Sequence, residues 1–219
     1  MSNYKSKLEE WYDSTAERYD SWGSREGEYS SQTKSLEIAK FNEILSLIKI
    51  KENTKILDVA TGTGIYLIEA LKKGGVGYGV DISKSMLEQV KKKIIKFKLK
   101  SKVIKIIKGD AEKLPFHSDF FDIVICIGMF EYYPLVKVKA FLEEIKRVLK
   151  KEGYLIVDFP NNNNKEVYEF QKKEISAGNE IHIYEKGKIN EFLKHTGFRI
   201  IKSNCAGIEI QFLLKLVKK

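Results

Sequence analysis

Apolar residues fall into two regimes along this chain. Near the start, Leu8, Trp11, Tyr12, Ala16 and Tyr19 lie at helical spacing and predict a short amphipathic helix from Leu8 to Tyr19. Asp20 to Ser31 is rich in Ser, Gly and charge and reads as a loop. A second helix is predicted from Thr33 to Ile48, with Leu36, Ala39, Phe41, Ile44, Leu45 and Ile48 as its apolar positions. From Lys55 the pattern changes to short apolar runs alternating with helical segments. The runs predict strands at Lys55–Ala60, Gly77–Ile82, Val103–Lys108, Phe121–Ile127 and Tyr154–Phe159. Helices are predicted at Ile65–Lys72, after the cap Ser83, and at Val138–Leu149. A short helix is expected within Asn161–Lys186, and another at Lys188–His195.

This alternation calls for βαβ units and an open, mainly parallel sheet. The last two strands, Phe198–Lys202 and Glu209–Lys218, are separated by too few residues for a crossover helix. They should therefore close the sheet edge as an antiparallel hairpin. The expected fold is α/β, a Rossmann-like doubly wound sheet of seven strands, mainly parallel, with a C-terminal antiparallel hairpin. The length of 219 residues suits one domain over 1–219.

Composition narrows the setting. The net charge is +9, and its densest contribution is the run Lys84–Lys108, where ten lysines face one acid, Glu88. Such a run can meet RNA or anionic lipid, or simply solvate a helix face. The scarcity of arginine and of interleaved aromatics favours the solvated face. Cys126 and Cys205 have no metal spacing and form no disulfide framework, and Cys126 lies in an apolar run. No metal site is expected. The polar start and the lack of any run of some 18 apolar residues lead to the expectation of a cytoplasmic protein with no membrane span, monomeric or homodimeric.

The chemistry concentrates after the first strand, in Ile56-Leu57-Asp58-Val59-Ala60-Thr61-Gly62-Thr63-Gly64. A buried strand there ends in a small-residue loop that opens into a helix, the usual ligand position in open α/β sheets. A phosphate loop would need Lys and Ser or Thr after the glycines, but Ile65 and Tyr66 follow. A dinucleotide fingerprint would need a glycine at Leu67, and Asp58 would repel a pyrophosphate. Asp81, 19 positions after Gly62, ends the second strand where an acid can accept from ribose hydroxyls. Asp110 follows the third strand beside Ala111 and can accept from the amino edge of a base. Three carboxylates at consecutive strand ends suit a nucleoside joined to an amino acid and oppose a phosphate-bearing cofactor.

The segments ILDVATGTG (56–64), GVDIS (79–83), GDAEKLPF (109–116), FDIVICIGMFEYYP (121–134) and LKKEGYLIVDF (149–159) resemble class I S-adenosylmethionine-dependent methyltransferases. The likeness is closest to the ubiquinone and menaquinone biosynthesis and small-molecule branch. It implies S-adenosylmethionine as cofactor, with Asp58, Ala60, Gly62 and Gly64 around its methionyl part and Asp81 on the ribose. It further implies Ile82 against the adenine, Asp110 and Ala111 on the adenine edge, and a backbone carbonyl at Ile127 or Gly128 near the amine. Tyr12 and Tyr19 resemble a lid over the sulfonium, within an N-terminal segment (1–48) that closes the acceptor side. Two departures stand out: Ala60 replaces the first glycine of the usual pattern, and Met129-Phe130-Glu131-Tyr132-Tyr133 stands where many relatives place histidines.

The expected reaction is transfer of a methyl group to a small-molecule acceptor. The alternatives are an RNA or protein methyltransferase landing on the lysine run, a non-catalytic cofactor binder, and a nicotinamide dehydrogenase. Glu131, Tyr132, Tyr133, His182 and Tyr184 are the candidates on the acceptor side. Glu131 is the best placed to orient an amine or take a proton, with His182 and Tyr184 as further candidate catalytic groups. His117 and His195 look peripheral.

Overall fold

The computed structural model describes residues 2–19 and 31–217. The loop expected from Asp20 onward lies, up to residue 30, outside the described residues. Seven strands form one sheet: β1 (Lys55–Val59), β2 (Val76–Asp81), β3 (Val103–Lys108), β4 (Phe121–Cys126), β5 (Leu149–Pro160), β6 (Phe198–Ala206) and β7 (Glu209–Leu216). Their spatial order is β3-β2-β1-β4-β5-β7-β6. The pairs among β1 to β5 are parallel. β7 inserts antiparallel between β5 and the edge strand β6. The expected fold class and terminal hairpin are what the structure has.

Alternation along the strands sends side chains to two cores. Leu57, Val59, Val124 and Cys126 face a layer built by α5 (Leu135–Val148) and α7 (Lys186–Lys194) through Phe141, Leu142, Ile145, Ile189 and Leu193. Ile56, Ile123 and Ile125 face the opposite layer of α2 (Ser31–Leu45), α3 (Ile65–Lys73) and α4 (Lys84–Lys96) through Phe41, Ile44, Leu67, Leu71, Val90 and Ile94. Ser83 caps α4, its hydroxyl accepting from the Met86 amide at 3.1 Å. The helix expected within 161–186 is α6 (Glu166–Ser176).

Several boundaries differ from the sequence reading, two of them by five or more residues at the start of an element and for identifiable reasons. α1 (Ser2–Thr15) opens at Ser2 rather than Leu8, because polar residues ahead of Leu8 find tertiary partners. The Tyr4 hydroxyl donates to the Glu180 carbonyl at 3.2 Å, and Lys5 reaches Asp110. β5 begins at Leu149 rather than Tyr154. The charged stretch Lys150–Glu152 is absorbed by an irregularity opposite β4, where Glu152 takes a positive φ of 62°.

The sheet order reverses direction between β1 and β4. That switch point opens a crevice above the carboxyl ends of the strands, and the candidate site lies there.

Candidate active site

A cavity of about 920 Å³ lies over the carboxyl ends of the central strands. Its size is near the top of the range of roughly 300–1,000 Å³ usual for small-molecule sites. Of the residues singled out by sequence, Tyr12, Tyr19, Asp58, Ala60, Gly62, Asp81, Ile82, Asp110, Ala111, Ile127, Gly128, Glu131, Tyr132 and Tyr133 line it.

The order β3-β2-β1 places Asp110, Asp81 and Asp58 side by side along one rim. Asp58 and Asp81 are buried. Asp81 is locked in place by two backbone amides: Gly62 N–H donates to Oδ2 at 2.7 Å and Ser83 N–H to Oδ1 at 2.8 Å. The loop after β1 is thereby tied to the end of β2. Asp58 accepts from the Thr61 hydroxyl at 2.7 Å. Burial pushes the Asp58 carboxyl up to about 7 against the opposing Thr61 hydrogen bond, and the neighbouring Asp81 adds to the rise. Burial likewise lifts Asp81 to about 6, with the Ser83 and Gly62 amides opposing it.

The loop is built on left-handed backbone at Ala60 (φ 56°), Gly62 (φ 51°) and Gly64 (φ 79°). A Cβ on Gly62 would meet nothing within 4 Å, so that glycine leaves open space on the cavity side. Gly64 is different. It caps α3 and abuts Val90, where a Cβ would come within 3.0 Å of Cγ1. Gly64 shapes the loop from behind and does not itself line the cavity.

α1 closes one side of this rim. Asp13 accepts from the Ser83 hydroxyl at 2.6 Å and the Ser85 amide at 3.0 Å, at the positive end of α4. Lys5 pairs with Asp110 at 2.6 Å and with Glu112 at 2.5 Å, and Lys108 pairs with Glu9. Leu8 packs with Tyr132 and Ile181. The Tyr12 ring stands 6.1 Å from Tyr19 and 6.2 Å from Tyr132, so three tyrosine faces gather on this wall.

The far half of the cavity, over β4, β5 and β7, is more acidic than the sequence foretold. Glu131 is buried in a short 3-10 turn (Phe130–Tyr132), so it is not a surface acid balancing a helix dipole. Asp158 at the end of β5, Glu209 at the start of β7 and Glu37 on α2 line the same space, with Lys34 and Tyr66 beside them. Burial, and then the charge of Asp158, push the Glu131 carboxyl well above the ordinary range. Sequence reasoning did not single out these three acids. The signal for Asp158 was present, an acid interrupting the apolar run Leu155-Ile156-Val157 at a strand end, as Asp58 and Asp81 do.

His182 and Tyr184 do not line the cavity. Their rings stack on each other with centroids 6.3 Å apart, and the Tyr184 hydroxyl accepts from the Leu135 amide at 3.3 Å. The expectation that His182 faces the acceptor pocket is therefore corrected. The segment 181–184 has no regular secondary structure, and the His182 amide donates to the Glu131 carbonyl at 2.7 Å. The backbone there supports Glu131, while the imidazole stacks on Tyr184 with its Nε2 buried.

Part of the lysine run is also structurally engaged. Lys93 donates to the Thr63 hydroxyl at 2.8 Å and Lys102 to the Leu71 carbonyl at 3.0 Å. Among the described residues no helix is long and apolar enough to cross a membrane.

Comparison with known proteins agrees with this geometry. Residues 57–157 match a family described as "Methyltransferase domain". An uncharacterized protein of Methanocaldococcus jannaschii is 28% identical over 194 residues, which span 88% of this chain and 82% of that one. A demethylmenaquinone methyltransferase of Bacillus velezensis is 34% identical over 119 residues, 52% of this chain, and the match spans about half (49%) of that protein's length. Among solved structures, the magnesium protoporphyrin IX methyltransferase of Synechocystis with bound SAH superposes with a TM-score of 0.78, at 16% identity, over 97% of this chain and 99% of that one.

Proposed function

The chain carries a methyltransferase domain with the class I S-adenosylmethionine-dependent fold, and from that premise we propose that it methylates a small-molecule acceptor held in the β4-β5-β7 half of the cavity. We read residues 1–219 as one domain, with the described parts of the segment 1–48 closing the site. The observation that carries the proposal is the division of one cavity into two halves. The β3-β2-β1 half presents Asp110, Asp81 and Asp58 beside a glycine loop, and the other half has room and polar groups for a second molecule.

The residues present fit S-adenosylmethionine. Asp81 is fixed by two amides and retains lone pairs for the two ribose hydroxyls. Ile82 and Ala111 flank the adenine, and Asp110 receives its amino group. The open space at Gly62 and the small Ala60 leave a path for the methionyl part, whose ammonium meets Asp58 and the carbonyl at Ile127. A phosphate-bearing cofactor would face the same row of acids and be repelled.

When bound, the cofactor supplies a methyl carbon on a sulfonium, whose C–S bond breaks with its electrons left on sulfur as the acceptor's lone pair forms the new bond. The protein's part is to hold the acceptor in line and keep water away. Positioning of this kind is worth up to roughly 7–11 kcal/mol in favourable cases. Tyr12, Tyr19 and Tyr132 offer ring faces that attract a cation by about 0.5–2 kcal/mol. Glu131 is the group placed to orient the acceptor or take its proton, and Gly64, His182 and Tyr184 act only behind the cavity wall.

The relatives' acceptors do not transfer directly. The likeness to the demethylmenaquinone methyltransferase covers about half of each chain, and a floor of buried acids is a poor seat for an apolar quinone. An RNA or protein acceptor is disfavoured because part of the lysine run is spent on contacts within the protein. Titration calorimetry with S-adenosylhomocysteine, NAD and ATP tests the assignment. S-adenosylhomocysteine should bind and the two phosphate ligands should not. Binding of NAD in its place would overturn it.

A further inference from the structure

Four acids on four separate elements meet in the acceptor half of the cavity: Glu37 on α2, Glu131 in the 3-10 turn, Asp158 ending β5 and Glu209 opening β7. Their relative exposures are 3%, 4%, 1% and 6%, so each is more than nine-tenths buried. Among the described residues Lys34 lowers the carboxyls of Asp158 and Glu209 by its charge, and it already pairs with Glu37 at 3.4 Å. Lys5 and Lys172, elsewhere on the cavity wall, are paired with Asp110, Glu112 and Glu169. Asp158 Oδ1 accepts from the Gly128 amide at 3.0 Å. Two oxygens have nothing: Glu131 Oε2 and Glu209 Oε2 are buried with no hydrogen-bond partner among the described residues.

Burying carboxyl groups without partners costs folding free energy, and a structural role would have been served better by apolar residues. Setting the two partnerless oxygens of Glu131 and Glu209 beside Asp158 and Glu37 on one cavity wall makes physical sense if a cation arrives to face them. The acids do not converge as ligands of a metal ion, since no group of three His, Cys, Asp or Glu among the described residues could hold one. A cation with several spread donors fits such a wall better than a point charge.

We propose that the acceptor is a small molecule carrying a protonated amine or guanidinium, seated on Glu131, Asp158 and Glu209 with Glu37 and Lys34 completing the wall. This rests on the methyltransferase reading above and names its acceptor class. The cofactor's own ammonium is a different charge, placed by that reading at Asp58 and the Ile127 carbonyl, where the two halves of the cavity meet. The wall should therefore remain available when the cofactor is bound.

The test is calorimetry on the full chain saturated with S-adenosylhomocysteine. Putrescine, agmatine and tyramine serve as probes, with 1,4-butanediol and tyrosol as uncharged counterparts of the first and the last. At least one amine should bind, tenfold or more tighter than its alcohol where one is matched. Glu209→Gln should lose that binding by tenfold or more while holding S-adenosylhomocysteine within twofold of wild type. Asp158→Asn, which keeps an acceptor for the Gly128 amide, gives a second variant should Glu209→Gln unfold. Three results overturn the proposal: alcohols binding as tightly as amines, no amine binding to a protein that does bind S-adenosylhomocysteine, or Glu209→Gln and Asp158→Asn weakening S-adenosylhomocysteine as much as the amine. Failure of the wild type to bind S-adenosylhomocysteine at all would instead sink the methyltransferase reading, and this inference with it.

Discussion

Replacing Asp58 with Asn should make the empty protein more stable at pH 8 and a worse binder. Asp58 is held in a buried site that pushes its carboxyl to about 7, from an ordinary value of 3.8. The unfolded chain gives up this proton first as pH rises, so between about pH 4 and 7 the native state binds the extra proton. Stability then falls as pH rises through that window and levels off above it. A rise of about 3 pKa units, at 1.36 kcal/mol each, corresponds to about 4 kcal/mol at most. Asn keeps an oxygen to accept from the Thr61 hydroxyl at 2.7 Å and never ionises. Urea denaturation at pH 4 and pH 8 should therefore show the variant gaining about 2–4 kcal/mol on wild type between the two values. The same variant should bind S-adenosylhomocysteine more weakly, because the ammonium loses its carboxylate. An equal pH dependence in the two proteins would show that Asp58 is not a destabilised buried acid.

Asp81→Ala should weaken S-adenosylhomocysteine at least tenfold with the fold intact by circular dichroism, since it removes both ribose acceptors and unties the Gly62 and Ser83 amides. Ala60→Gly should raise the unfolding free energy by about 1 kcal/mol in denaturant melts, because Ala60 holds a left-handed φ of 56° that costs an L residue about that much. Asp13→Ala removes the contacts of α1 with Ser83 and Ser85. At about 1–2 kcal/mol for the pair, S-adenosylhomocysteine release measured by stopped flow should quicken about five- to thirtyfold. Glu131→Gln should leave S-adenosylhomocysteine affinity unchanged and slow turnover with the true acceptor.

Much of the architecture could be read from the pattern of apolar residues, because period-2 runs such as Ile56–Val59 and Ile123–Cys126 feed alternate side chains into two cores. The cofactor rim was legible for a related reason: Asp58, Asp81 and Asp110 stand out as acids at the ends of apolar strands. The acceptor wall was harder to see. Glu37 lies on the polar face of an amphipathic helix and looks solvent-bound in sequence; it is buried because α2 covers the cavity with that face. Glu209 opens a hairpin strand, where a charge is ordinary until β7 inserts beside β5 and brings it to the site. His182 misled for the opposite reason. Its alternation with Ile181 and Ile183 resembles a strand lining a pocket, yet the segment has no regular secondary structure; its backbone amide reaches the Glu131 carbonyl and its ring does not line the cavity.

The most direct measurement is a crystal structure of the chain with S-adenosylhomocysteine. The ribose should sit on Asp81, the adenine between Ile82 and Ala111, and the sulfur should face the half of the cavity walled by Glu131, Asp158 and Glu209. A nucleoside bound over β4, β5 and β7, or outside the cavity altogether, would contradict the account.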